Sequence, residues 1–243
     1  MKDAVVIIPT YNEIENIEAI IRAVFSESRD LHILVVDDNS PDGTSEKVAA
    51  LQTEFPGRLF LKKREGKQGL GTAYILGFKW SLVRSYSYIF EMDADFSHNP
   101  KDLQKLYNAC AIDGADVSIG SRYITGVNVV NWPMSRVLMS YIASKYVRLI
   151  TGMNIQDTTA GFVCYKRVVL ETLDLTKIKF IGYAFQIEMK FKAYINKFRI
   201  IEIPVIFTDR TRGVSKLSSG IISEAVFGVI SMKMKSLFKR NKK

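Results

Sequence analysis

Two patterns of apolar and polar positions alternate along this chain. The first is a short, mostly apolar run that ends at a proline or a polar residue. Residues 5–8, 31–36, 59–61, 88–92 and 117–120 are of this kind. Such runs read as strands buried on both faces. The second pattern repeats at helical spacing. Ile14, Ile17, Ile21, Val24 and Phe25 form one stripe, and Tyr74, Ile75, Phe78 and Leu82 another. Shorter stripes carry Val48 with Leu51 and Leu103 with Leu106. Strands and helices that alternate through short loops predict an α/β fold, with a mostly parallel central sheet, right-handed crossovers and helices on both faces. Thr10 or Asn12 is placed to cap the first helix, with Glu13 and Glu15 in its first turn. Thr44 can cap the second, and Pro100 can open a later one.

The second half is less regular. Residues 126–132 read as a mobile loop. Pro133 opens an amphipathic helix whose apolar positions Val137, Leu138, Tyr141, Ile142, Leu149 and Ile150 are most simply core-facing, with Arg136, Lys145 and Arg148 interrupting. A polar loop over 152–161 holds Asp157, Thr158 and Thr159. Residues 162–165 read as a strand and 184–195 as a helix. The run 200–207, split by Pro204, reads as an edge strand. A basic loop over 209–216 leads to a last helix from about Ser218. With no internal repeat, the chain reads as one domain over 1–216 with an extension over 217–243.

Two strand ends carry acids. Residues 31–36 stop at Asp37 and Asp38, and residues 88–92 stop at Asp93, with Asp95 two positions on. Strand polarity puts both pairs at the C-terminal edge, where open α/β sheets bind ligands. Asp93 and Asp95 can converge on one hard cation, Mg²⁺ or Mn²⁺, of the kind that also holds substrate phosphates. A solvated pair in a loop is the equal alternative from the residues alone. A metal-bound diphosphate calls for cations, and Arg122, Arg210, Arg212 and Lys216 all fall in predicted loops.

Composition narrows the field. The chain has 243 residues, 47% hydrophobic and 24% charged, ordinary for a globular protein. Cys110 and Cys164 lie far apart and suggest neither a disulfide framework nor a thiolate metal site, which makes a cytosolic compartment the default. The apolar run after Met1 is too short for a signal peptide, and no run reaches the ~20 apolar residues of a membrane span. The net charge is +9, and residues 233–243 hold six basic residues and no acid. The Gly66, Gly69 and Gly71 stretch feeds a helix N-terminus but lacks a Walker lysine. No Ser-His-Asp order and no H-E-x-x-H motif is present. His32 reads as a core histidine, and His98 as a bystander or a group supporting the Asp pair.

Several segments together are distinctive: Pro9-Thr10-Tyr11-Asn12-Glu13, Val36-Asp37-Asp38-Asn39-Ser40-Pro41-Asp42-Gly43-Thr44, Gly69-Leu70-Gly71-Thr72-Ala73-Tyr74, Met92-Asp93-Ala94-Asp95-Phe96-Ser97-His98, Gly120-Ser121-Arg122-Tyr123, and Asp209-Arg210 through Lys216. In this order the chain resembles a family 2 glycosyltransferase of the GT-A fold, most closely the dolichyl- or polyprenyl-phosphate mannosyltransferases. The resemblance implies a GT-A catalytic domain over 1–216, followed by an amphipathic helix and basic tail. It implies that the nucleotide of GDP-mannose lies against Pro9, Tyr11, Glu13, Val36 and Asp38. It implies that Asp93, Ala94 and Asp95 face the donor diphosphate, with Asp93, Asp95 and Ser97 as the ligand set for Mg²⁺ or Mn²⁺. Arg210 and Lys216 are implied to meet the diphosphate, and Arg122 and Arg136 the lipid phosphate. Asp95, Arg122 and Arg210 are the residues it marks as catalytic. The Gln-x-x-Arg-Trp motif of processive polysaccharide synthases is absent. So is an evident general base, and Glu188 does not read as one.

A phosphate acceptor accounts for the missing base. A phosphate monoester is already anionic at neutral pH, with a second pKa near ~6, and needs positioning rather than deprotonation. The expected reaction is a single displacement with inversion at the anomeric carbon. A polyprenyl chain needs an apolar surface, and the 133–150 helix together with Ile221, Ile222, Val226, Phe227, Val229 and Ile230 could supply one at an interface. Each tail cation near an anionic bilayer is worth about 1 kcal/mol. The expectation is a cytoplasmic protein held peripherally on the cytoplasmic face of a membrane, by its own surface or through a membrane-anchoring partner protein. Transfer from UDP-glucose or another nucleotide sugar to a lipid phosphate or polysaccharide is the alternative. Nucleic acid is not an expected partner, because an acidic crevice repels a polyanion.

Overall fold

The computed structural model describes residues 1–182, 184–209 and 227–236. Its frame is a seven-stranded sheet. The strands in chain order are β1 (Ala4–Thr10), β2 (His32–Asp37), β3 (Leu59–Lys63), β4 (Tyr88–Glu91), β5 (Val117–Ser121), β7 (Val163–Lys166) and β8 (Ile200–Pro204). Their order across the sheet is β3-β2-β1-β4-β7-β5-β8. A second, two-stranded sheet pairs β6 (Val129–Val130) with β9 (Phe207–Thr208) in parallel.

The apolar runs alternate between two cores. Val6, Ile8, Ile33, Val35 and Phe90 face α1 (Ile17–Glu27), α2 (Thr44–Leu51) and α4 (Leu103–Ala111). Val5, Ile7, Leu34, Val36 and Ile89 face α3 (Leu70–Leu82), α6 (Arg167–Thr172) and α7 (Ala184–Ile195). Runs this apolar are what a sheet covered on both faces requires. Helix α3 approaches closely, since a Cβ on Gly77 would stand 2.7 Å from Ile7 Cγ2.

One strand runs against the rest, and it shapes the site. β7 is antiparallel to both neighbours, with Val163 opposite Glu91 of β4 and Ile119 of β5. Its entry loop, residues 152–161, therefore lies at the edge where the parallel strands end. A four-residue strand buried on both faces carries no pattern that reports its direction.

Five local expectations are corrected, the first at α2, where Gly43 takes the N-cap position and Thr44 is already the first helical residue with no capping hydrogen bond. Neither Thr10 nor Asn12 caps α1, which begins at Ile17 behind Asn16, and Glu18 is the acid in its first turn. Thr10 is instead committed to Asp37. The expected loop at 126–132 contains β6. The expected single strand at 200–207 is two, because Pro204 ends β8 and the chain crosses to the small sheet. Helix α5 (Met134–Thr151) buries only Ser144, Val147 and Thr151. Most of its large apolar side chains point outward, with Leu149 83% and Ile142 60% exposed, while Tyr146 and Ile150 pack against the core. No helix among the described residues is long and apolar enough to cross a membrane. The expected boundary at 216/217 lies outside the described residues.

Candidate active site

At the β1–β2 edge, Pro9 pairs with Val36 and Thr10 with Asp37. Asp37 is fully buried and consumed by its neighbours. Its carboxylate accepts the hydroxyls of Thr10 at 2.8 Å and Ser40 at 2.6 Å and the Ser40 N–H at 3.0 Å. Asp38, the next residue, forms an ion pair with Arg64. Burial pushes the Asp38 carboxyl up, against the pull of Arg64. Arg64 also donates to Thr72 Oγ1 at 2.6 Å and to the Gly69 carbonyl at 3.3 Å. The β2 edge is thus tied to the start of α3, where Gly69 turns at φ 95°. Glu13 lies in the same wall, its N–H on Thr44 Oγ1 at 3.0 Å. Tyr11 lies under the Lys67 ammonium, 5.3 Å from the ring centre. The five residues expected around a nucleotide do share one edge. Arg64 was not legible there, because its partner is set by tertiary contact.

At the β4 edge, His98 Nδ1 accepts the Asp93 N–H at 3.1 Å. An accepting Nδ1 fixes the neutral tautomer with its proton on Nε2. Burial pushes His98 down to about 4, consistent with a neutral ring stacked on Phe162 at 4.9 Å. His98 is therefore no bystander. Tyr74 donates to Asp93 Oδ1 at 3.4 Å. Burial pushes that phenol well above its ordinary value, so it stays a donor. Phe96 turns through φ 61°, which brings the Ser97 N–H onto Asp95 Oδ1 at 3.1 Å. Ala94, Asp95 and Ser97 are all buried.

The residues fit a hard divalent cation. The buried Ser97 hydroxyl has no hydrogen-bond partner beside two carboxylates. An oxygen-only set of this kind suits Mg²⁺ or Mn²⁺, which draw their other ligands from water and substrate phosphates. Among the described residues no group of three or more His, Cys, Asp or Glu is placed to hold a metal ion by itself, so a cation here would draw on Ser97, water and substrate oxygens.

At the β5 edge, Arg122 is buried and grips Asp157. Its Nε and Nη2 each lie 2.6 Å from a carboxylate oxygen, and its backbone N–H lies 3.0 Å from one. Nη2 also reaches Thr159 Oγ1 at 2.8 Å. Burial pushes the Asp157 carboxyl up, but the Arg122 charge and hydrogen bonds outweigh it and hold Asp157 low. The Arg122 guanidinium packs among the rings of Tyr123, Trp132 and Phe207. Arg136 stacks on Trp132 at 4.1 Å and pairs with Asp209 at 2.8 Å. The small sheet brings these two arginines to one aromatic cluster. Arg210 and Lys216 lie outside the described residues.

Below the edge is a buried polar chain that the sequence did not announce. Glu91 accepts from Gln186 Nε2 at 2.6 Å, and Lys190 donates to the Ala160 carbonyl at 2.6 Å. Burial pushes the Glu91 carboxyl up and the Lys190 ammonium down. The available signal was Glu91 interrupting an apolar run, with Gln186 and Lys190 one helical turn apart. Glu188 is structural. It accepts the N–H groups of Lys179 and Phe180 at 2.8 and 3.1 Å and pairs with Lys192.

A mostly parallel sheet flanked by helices, with acid-bearing strand ends gathered on one edge, is a GT-A architecture. It superposes on glucosyl-3-phosphoglycerate synthase from Mycobacterium tuberculosis, solved with Mn²⁺, UDP and glucosyl-3-phosphoglycerate, with a TM-score of 0.69 at 17% identity, covering 95% of this chain and 79% of that one. The chain belongs to glycosyl transferase family 2, whose family model matches residues 5–174. Within the family it is similar to the polyprenol monophosphomannose synthase of Mycolicibacterium smegmatis, 47% identical over 92% of this chain and 84% of that one. It is likewise similar to the undecaprenyl-phosphate mannosyltransferase of Micrococcus luteus, 43% identical over 92% of this chain and 90% of the relative.

Proposed function

We propose that this enzyme transfers mannose from GDP-mannose to a polyprenyl phosphate of the dolichyl type, with inversion, at a membrane surface. The observation that carries the reading is the 47% identity to a polyprenol monophosphomannose synthase over nearly the whole chain, with the Asp-x-Asp segment at the strand edge. The nucleotide lies along the Pro9, Tyr11, Glu13, Val36 and Asp38 wall. Asp93, Asp95 and Ser97 hold Mg²⁺ or Mn²⁺. When bound, that cation supplies charge neutralisation for the departing nucleoside diphosphate. Arg210 and Lys216 meet the diphosphate from the other side.

On the acceptor side, Arg122 keeps its Nε and Nη2 on Asp157. With Arg136 it makes a cationic, aromatic-walled seat for the lipid phosphate. A phosphate oxygen forms the new bond to the anomeric carbon as the bond to the diphosphate breaks, and no proton has to be removed. Glu188, committed to two backbone N–H groups, accords with a reaction that uses no general base. The outward apolar face of α5 supports an interfacial site. Beside it lies a groove of about 530 Å³ lined by Lys145, Arg148 and Leu149. In the 227–236 helix Phe227 is 73% exposed, and Lys233 donates to the Thr151 carbonyl at 2.9 Å. Cations around exposed apolar side chains suit an anionic bilayer surface. Attachment is peripheral, on the cytoplasmic face, directly or with an anchoring partner.

The test is transfer of radiolabelled mannose from GDP-mannose to a short polyprenyl phosphate, with Mn²⁺, with EDTA, and with UDP-glucose as rival donor. Metal-dependent, β-linked mannosyl lipid is expected. Transfer from UDP-glucose alone overturns the donor, and an α-linked product overturns single displacement.

A further inference from the structure

Residues 156–161 reach the active edge by an unusual amount of charged fastening. From β8, the Glu202 carboxylate accepts the N–H groups of Gln156 and Asp157 at 2.7 and 2.8 Å. From β5, Arg122 clamps Asp157 and Thr159. From α7, Lys190 takes the Ala160 carbonyl at 2.6 Å. Its remaining donors go to the Gln186 carbonyl at 3.3 Å and Gln186 Oε1 at 3.4 Å. The Gln186 amide continues to Glu91 at 2.6 Å. Lys190 is 0% exposed.

An ammonium in such a place is costly, and apolar residues of similar volume often serve stability as well or better. Its charge faces Glu91, Asp157 and Glu202, with Arg122 as an opposing cation. A carbonyl one residue beyond Thr159 is a specific target for a fixed donor. Fixing it holds the loop whose Asp157 orients Arg122. The loop also meets the other half of the site, since a Cβ on Gly161 would lie 3.7 Å from His98 Cε1.

We propose that Lys190 is a positioning residue for the acceptor half of the reaction: by holding the Ala160 carbonyl it keeps Asp157, and through it the Arg122 guanidinium, aligned on the acceptor phosphate. This rests on the reading of Arg122 given above. A loop held only by Glu202 and Arg122 has a fixed start and a loose end. Misplacement of Arg122 then weakens use of the anionic acceptor far more than donor binding at the β1, β2 and β4 edge.

The test compares wild type with Lys190→Met and with the doubly neutral Glu91→Gln/Lys190→Met, which removes both buried charges and keeps a partner for Gln186. For both variants the KM for a short polyprenyl phosphate should rise about tenfold or more, with GDP affinity in Mn²⁺ changed less than about twofold. Amide exchange at 157–161 and at the Arg122 N–H should quicken, while that at 93–98 stays protected. Equal losses of donor affinity and acceptor KM mean a merely structural lysine and overturn the proposal. So does an unchanged acceptor KM, or unchanged exchange in the loop. A wild type that transfers no mannose to lipid phosphate overturns the proposed function instead, and the exchange measurement still decides whether Lys190 tethers the loop.

Discussion

Two strand ends in this molecule look alike as sequence and behave differently as structure. Each is a buried apolar run that stops at acids, and each turns through a left-handed residue, Asn39 at φ 59° and Phe96 at φ 61°. At the β2 end, Asp37 is a fastening. Two hydroxyls and an N–H fill its carboxylate, and it ties β1 to the loop that follows β2. At the β4 end, the backbone is what gets held, by His98 on the Asp93 N–H and by Asp95 on the Ser97 N–H, and a buried hydroxyl is left over. The difference lies in what surrounds the acids. At Asp37 three short donors from neighbouring residues fill one carboxylate, whereas at the β4 end a histidine acceptor beneath the chain holds the backbone and the carboxylates take longer contacts, from Tyr74 at 3.4 Å and the Ser97 N–H at 3.1 Å.

The contrast is sharpest in a pair of substitutions. Asp95→Ala should lower mannosyl transfer by about a thousandfold, the scale of losing a main electrostatic contact to the reacting group, with a loss of stability well below that of Asp37→Ala, since one N–H rather than three donors loses its acceptor. Asp37→Ala should do the reverse in kind. It leaves buried donors unsatisfied and should cost about 3 kcal/mol in urea unfolding. If Asp95→Ala unfolds the protein and Asp37→Ala does not, the assignment of roles is wrong. Ser97→Ala probes the leftover hydroxyl: Mn²⁺ affinity, measured by titration calorimetry with GDP, should fall about tenfold while stability holds or rises. The smallest effect separates the two left-handed residues. A bulky side chain at positive φ stores about 1 kcal/mol, and asparagine tolerates the conformation. Phe96→Asn should therefore stabilise by about that amount, and Asn39→Phe should destabilise by a similar one, both read from chemical denaturation.

Much of the frame was legible in the residues. The runs at 5–8, 31–36 and 88–92 read as strands covered on both faces, and the acids that end the second and third lie at one edge because parallel strands share polarity. The motif set resembled family 2 enzymes, and the family match over residues 5–174 agrees. The misreadings cluster where a residue's partner is distant in the chain. Thr10 looked like a cap and is a donor to Asp37. The apolar stripe of α5 looked core-facing and is mostly exposed, because small Ser144 and β-branched Val147 and Thr151 make its inner contact, with Ile150 alone of the stripe packed on the core. β6 is too short to show a period, and only β9 makes it a strand.

The sequence by itself determined the class of this protein: strands and helices in α/β order, acids at strand ends, and motifs in a family's order. These are local properties, written in runs and spacings that neighbouring residues enforce. The tertiary structure alone decided which acids are structural, which arginine meets which carboxylate, and that β7 runs backwards and delivers the 157–161 loop to the active edge. Those outcomes depend on contacts between residues far apart in the chain, such as Glu91 with Gln186 and Arg122 with Asp157, and on burial that makes an unpaired charge too costly to leave alone. No local pattern encodes such a partner, so it becomes visible only when the sheet has closed.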